Sequence, residues 1–246
     1  MLKSWDDRRN YIVAGNKDQT TQFCTEHWVH SAKRAIQQKG KFSVALSGGS
    51  TPKAIYQALI QQELDWSKVW LFWSDERNVS PEHAESNYRM AMEEFDQVPI
   101  PKAQIFRMKA ENQIEKNAAD YEDTLVRVLD KHLFDLVMLG VGQDGHTASL
   151  FPNTKGLSEE KRLVLANEIP QKQTWRITLT FPCIAQSSLA VIYAIGSSKA
   201  DIVPKVLNAA IESPFPASRV GTHERKALWI LDQDAAKNID FSKAAH

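Results

Sequence analysis

At 246 residues and 27.8 kDa the chain falls between one average domain and two, and it is long enough to bury a full core. Its 30 basic and 30 acidic residues cancel to a formal charge of zero, so nucleic acid and anionic membrane surfaces are not expected as partners. A composition that is 43% hydrophobic and 24% charged, with 10 prolines and 10 glycines, excludes a disordered or fibrous chain.

The opening residues, 1–15, mix charges of both signs and contain no apolar run of signal-peptide length, so a cytoplasmic protein is expected. Helical spacing over 20–38 is followed by a strand over 42–46. Residues 52–62 then read as a helix whose start is marked by Ser50 or Thr51 as cap and Pro52 at the first helical position. A strand over 69–73, a helix over 85–95 with Ser86 and Asn87 near its start, and a helix over 111–131 come next. Strands are expected over 136–141, 162–166, 176–181, 189–195 and 227–231, with a helix over 199–211.

Most of these strands are continuously apolar rather than alternating, as strands covered on both faces of a parallel sheet are. The expected fold is therefore α/β, with a largely parallel, doubly wound sheet and helices on both faces. The longest apolar stretches, 133–141 and 189–195, fall well short of the ~20 residues of a membrane helix. Cys24 and Cys183 lie far apart without CxxC spacing, which predicts neither a disulfide framework nor a zinc ribbon.

Three strand ends carry candidate chemistry. After the strand over 42–46, Gly48, Gly49, Ser50 and Thr51 run directly into a helix. Backbone N–H groups at a helix N-terminus suit a phosphate, and the two hydroxyls add donors. No Walker A pattern occurs, so a nucleotide triphosphate is not implied. After the strand over 69–73 come Asp75, Glu76 and Arg77. Arg77 offers a planar fork for a carboxylate or phosphate, with Asp75 or Glu76 as candidates to hold it, although such a cluster also reads as a solvated strand end.

The strand over 136–141 ends in Gly140, Gly142, Asp144, Gly145 and His146. The three glycines imitate a dinucleotide fingerprint with Glu168 downstream, but Pro152, Asn153 and Gly156 interrupt the space a crossover helix needs. The alternative takes His146 as general base or acid, oriented or tuned by Asp144 or Asp75. His83 and Glu85 with Cys183 imitate halves of a zinc-deaminase signature, yet Gln186 stands where its second cysteine belongs, so no metal is implied. General acid–base work on a small anion remains.

Taken in order, LSGGSTPKAIYQAL (46–59), SDERNVSPEHAESNYRM (74–90), LGVGQDGHTASLFP (139–152), RITLTFP (176–182), GSSKA (196–200), FPASRV (215–220) and LWILDQDAA (228–236) resemble the family of glucosamine-6-phosphate isomerases and 6-phosphogluconolactonases. The resemblance covers nearly the whole chain and implies one α/β domain over 1–246. It implies cofactor-free hydrolysis of 6-phospho-D-glucono-1,5-lactone in the pentose phosphate pathway. The partner is then a small phosphorylated sugar lactone, and the protein a monomer or small homo-oligomer. The deaminase branch resembles GxDGHIAFNEP. This chain has His146-Thr147-Ala148-Ser149-Leu150-Phe151-Pro152 there, similar to the lactonase form and without that glutamate. An amino-sugar phosphate deaminase and a non-catalytic sugar-phosphate sensor are the alternatives.

In the lactonase reading His146 activates water, and Asp144 orients or tunes the site. Gly48, Gly49, Ser50, Thr51 and Lys199 hold the 6-phosphate. Arg77 serves as phosphate clamp or oxyanion stabiliser. Asp75, Asn87 and Arg176 are further candidates for substrate contact.

Overall fold

The continuously apolar runs become the interior of a seven-stranded sheet, in a computed structural model that describes residues 1–129 and 133–244. Its strands are β1 (Lys3–Ser4), β2 (Arg9–Val13), β3 (Phe42–Leu46), β4 (Val69–Trp73), β6 (Leu136–Gly140), β9 (Ala190–Ala194) and β10 (Ala227–Leu231), in the order β1-β2-β10-β9-β6-β3-β4. All neighbours are parallel except β1 with β2. Every residue of β3, β9 and β10 is buried, which explains their unbroken apolar character.

Side chains on the two faces meet different partners. Phe42 of β3 packs edge-on against Trp28 of helix α1 (Lys17–Lys39), with ring centroids 4.9 Å apart. Ala45 is in register with Phe72, and Phe72 stacks on Phe106 and meets Phe134. Helix α1 begins earlier than its apolar spacing predicts. Asn16 Oδ1 accepts from the Gln19 backbone N–H, and the Gln19 side chain accepts from that of Asn16, closing a capping box.

Helix α2 (Ser50–Leu59) packs on α1, and α3 (Asn87–Phe95) packs on α2. The expected cap of α2 is corrected. Gly49, at φ 107°, is the N-cap, and neither Ser50 nor Thr51 makes a side-chain cap bond. Ser86 does cap α3, its Oγ accepting from the Arg89 N–H at 3.1 Å. Helix α4 spans Ile114–Val128; the end expected at Lys131 lies outside the described residues.

Two expected strands do not join the parallel sheet. With β5 (Asp75–Arg77), β7 (Val164–Ile169) and β8 (Thr174–Leu179) form a three-stranded antiparallel sheet in the order β5-β8-β7. The reason is the link between β7 and β8. Residues 170–173 form only a tight 3-10 turn, with Gln173 left-handed at φ 49°, and a connection so short permits a hairpin but no parallel crossover. Helix α5 (Phe181–Gln186), capped by Thr180, starts where the second of those strands was expected to end. The helix expected over 199–211 is a 3-10 turn, Ser197–Lys199, and a short α6, Ile202–Leu207. No helix among the described residues is long and apolar enough to cross a membrane.

One topological feature positions the site. From β3 the chain order runs outward to β4 on one side, while β6 adds on the other and is followed by β9 and β10. The order therefore reverses between β3 and β6, and the connections leaving their carboxyl ends diverge there to open a crevice.

Candidate active site

The crevice is a pocket of about 300 Å³, a size that suits a small ligand. Its wall includes Ser47–Pro52 from the end of β3 and start of α2, Asp75 and Arg77 from β5, and Gly142 and His146 after β6. Arg176 from β8 and Ser198 and Lys199 after β9 complete the ring of polar groups. Segments separated by up to about 150 residues of chain thus converge.

At the α2 end, the absence of a side-chain cap leaves first-turn backbone donors unclaimed by the helix, beside the exposed Ser50 hydroxyl. Gly48 is demanded by packing. A Cβ there would lie 1.8 Å from Oδ1 of the buried Asn87. Asn87 Nδ2 donates to the Asp75 carbonyl at 2.8 Å and to its carboxylate at 3.3 Å, so Asn87 stands behind the wall rather than on it.

Asp75 is the hub of a buried network. Its Oδ2 accepts from the Ser149 hydroxyl at 2.6 Å and lies 3.8 Å from Arg176 Nη1. Burial pushes the Arg176 guanidinium down from its usual range, and the Asp75 charge opposes that. Neither Asp75 nor Glu76 grips the Arg77 side chain, contrary to expectation. Arg77 Nη1 instead donates to the Glu85 carbonyl. The Glu76 carboxylate is spent on backbone, accepting from the N–H groups of Arg77, Asn87 and Tyr88 and from Ser86 Oγ. Burial pushes its carboxyl up, against the pull of those N–H donors.

Arg77 and Arg176 are register partners across β5 and β8, and the Nε atoms of both are buried without a hydrogen-bond partner. Two like charges directly opposite each other on a ladder are unfavourable unless a negative charge lies beside them.

Across the pocket, Asp144 Oδ1 lies 2.5 Å from His146 Nδ1 and accepts the His146 backbone N–H at 3.1 Å. Partial burial raises the Asp144 carboxyl, but the His146 ring and the backbone hydrogen bonds outweigh it and hold the group at about 2. Asp144, not Asp75, is the carboxylate that touches this histidine. With Nδ1 so engaged, Nε2 is the nitrogen available for proton transfer. Lys199 Nζ donates to the Val141 carbonyl at 2.9 Å. Burial lowers its ammonium, and the nearby Asp144 charge resists the change.

Sequence reading did not find Tyr193 and Ser198 on the pocket wall. Tyr193 sits within the apolar run of β9 and carries no signal that separates it from core, whereas Ser198 adjoins Lys199 in a segment already singled out. The imitated motifs stay apart. No α-helix lies between Gly145 and β7, and Glu168 is exposed on β7. His83 Nδ1 accepts from the Glu85 N–H, while Cys183 is buried in α5. No cluster of metal-ligating side chains occurs among the described residues.

Comparison with known proteins finds relatives along nearly the whole chain. Residues 15–229 match the family described as glucosamine-6-phosphate isomerases/6-phosphogluconolactonase. A 6-phosphogluconolactonase of Chlamydia muridarum is 41% identical over 244 residues, covering 98% of this chain and 94% of that one. The enzyme of the same name from Synechocystis is 39% identical over 214 residues, covering 84% of this chain and 88% of its own. The crystal structure of 6-phosphogluconolactonase from Thermotoga maritima superposes with a TM-score of 0.80 at 28% identity, covering 90% of this chain and 99% of that one.

Proposed function

Because the chain belongs to the family of glucosamine-6-phosphate isomerases and 6-phosphogluconolactonases, and is a lactone hydrolase within it, we propose that His146 drives conversion of 6-phospho-D-glucono-1,5-lactone to 6-phospho-D-gluconate. The observation that carries this reading is His146, held from behind by Asp144, standing on the wall of one small pocket with an uncapped helix N-terminus and two arginines that each keep an unpartnered Nε.

His146 Nε2 takes a proton from a water whose oxygen attacks C1 of the lactone. The carbonyl π electrons move to oxygen, giving a tetrahedral oxyanion. When that oxyanion collapses, the bond from C1 to the ring oxygen breaks and the imidazolium returns its proton to the departing oxygen. The histidine ends as it began. Asp144 fixes the tautomer by accepting from Nδ1 and stabilises the imidazolium between the two transfers.

The backbone donors of Gly48, Gly49, Ser50 and Thr51, the hydroxyls of Ser50 and Thr51, and Lys199 hold the 6-phosphate. Arg77 and Arg176 add the charge that a dianion needs. Asp75 acts from below, keeping Arg176 in place and joining β5 to the His146 segment through Ser149.

The test generates the lactone in situ from glucose 6-phosphate and follows 6-phosphogluconate by a coupled dehydrogenase, after subtraction of spontaneous hydrolysis. The wild type accelerates the reaction, and His146→Ala loses roughly 10²- to 10⁴-fold. Full activity in a folded His146→Ala protein overturns the mechanism. Turnover of glucosamine 6-phosphate in place of the lactone moves the chain to the deaminase branch, and binding without turnover of either makes it a sensor.

A further inference from the structure

The His146 ring is confined on several sides by its own segment. Its Nδ1 edge faces Asp144, and Gly142 approaches so closely that a Cβ there would lie 2.0 Å from Nδ1 and 2.1 Å from Cε1. One face of the imidazole lies on Phe151, with centroids 3.9 Å apart and planes inclined by 16°. The chain reaches this arrangement through a tight turn. Leu150 N–H donates to the Thr147 carbonyl at 2.9 Å, and Ala148 takes a left-handed φ of 46°, so residue 151 folds back over residue 146.

We propose that Phe151 is a positioning residue for the reaction. It fixes the His146 ring plane so that Nε2 meets the attacking water, and its π face steadies the imidazolium formed in the first step. Phe151 is fully buried and is absent from the pocket wall, so it acts through its neighbours and not on the substrate. Its ring also lies 5.5 Å from the Arg176 guanidinium carbon and 5.7 Å from Lys172 Nζ, both within cation–π range. One aromatic ring thereby touches the base and an anion-binding arginine, setting their relative placement. A histidine that swings by an ångström loses the near-attack geometry that general-base catalysis depends on.

This inference rests on His146 being the base, so His146→Ala is assayed alongside. Phe151→Leu and Phe151→Met remove the aromatic face, and Phe151→Tyr keeps it. We expect the two aliphatic variants to lose about 10- to 100-fold in kcat while KM stays within about twofold, and the tyrosine variant to recover most of the loss. The His146 ring-proton resonances, assigned by their disappearance in His146→Ala, move downfield in Phe151→Met as the ring-current shielding goes. A folded Phe151→Met protein with wild-type kcat, beside an inactive His146→Ala, overturns the inference and leaves the proposed mechanism standing. An equal loss in all three Phe151 variants overturns it too, because packing alone then explains the effect. Full activity in His146→Ala overturns both.

Discussion

Oδ1 of Asn87 occupies the space in which Gly48 would carry a side chain, 1.8 Å from an ideal Cβ. The turn that follows β3 and the amide behind it are thus one packed unit, and each constrains what the other position accepts. Gly48→Ala should cost about 1–3 kcal/mol by overpacking. The same substitution in an Asn87→Ala background should cost less, so urea denaturation of the four proteins should show a clearly non-additive cycle. Additive effects would mean that Asn87 is not what the new methyl meets.

Arg77 faces Arg176 in register and has one nitrogen already committed to the Glu85 carbonyl. That placement suits a phosphate clamp, which holds substrate and transition state alike. Arg77→Ala should therefore raise KM by about tenfold or more with a smaller change in kcat. The opposite split, a fall in kcat at constant KM, would assign Arg77 to the carbonyl oxygen.

Asp144 is held at about 2, below its ordinary value of 3.8, because hydrogen bonds from His146 and backbone outweigh burial. A carboxyl depressed by folding stabilises the native state above its unfolded pKa and loses that contribution as pH falls through the folded value. The stability gap between wild type and Asp144→Asn should therefore narrow from about pH 4 down to about pH 2 in thermal melts. With the Asp144 side chain 45% exposed, the gap is small and is reduced further by salt. A gap that stays constant across this range contradicts the pairing.

Ser149 donates to Asp75 at 2.6 Å with both groups buried. Ser149→Ala leaves that carboxylate oxygen without its shortest hydrogen bond, and should destabilise by about 1–3 kcal/mol in urea. A change of only a few tenths would show that the remaining contacts with Arg176 and Asn87 satisfy Asp75.

Both cysteines are buried, and burial pushes the Cys24 thiol up to about 12 and the Cys183 thiol higher still. The thiolate is the reactive form, so neither should titrate with a disulfide reagent in the native protein at mildly alkaline pH, while both react in guanidinium. Rapid labelling of the folded chain, or an activity that depends on reductant, would refute this.

Strands β3, β4 and β10 were legible to the residue because a continuous apolar run between turn signals has one stable use, the interior of a covered sheet. Strand β5 was not legible. Asp75-Glu76-Arg77 is a short charged string, and its extended form comes from pairing with β8 about a hundred residues away. The same divide runs through the site. Gly48 to Thr51, and Asp144 with His146, are contiguous and announce their chemistry locally. The hydrogen bond from Ser149 to Asp75 joins residues 74 apart in sequence, and no local pattern encodes it. The stacking of Phe151 on His146 depends on a left-handed alanine at 148, a conformation that alanine's intrinsic preference disfavours.

The register of β5 on β8 also reaches beyond the pocket. Like charges opposed on a ladder weaken the strands that carry them, and here those strands belong to the smaller sheet. An anion shared by Arg77 and Arg176 would relieve that repulsion, and substrate affinity would then be linked to the folding stability of this region, by RT ln(1 + [L]/Kd) for a ligand that binds only the folded chain. On the proposed reading, the resistance of the enzyme to heat and proteolysis should therefore rise with added phosphorylated sugar.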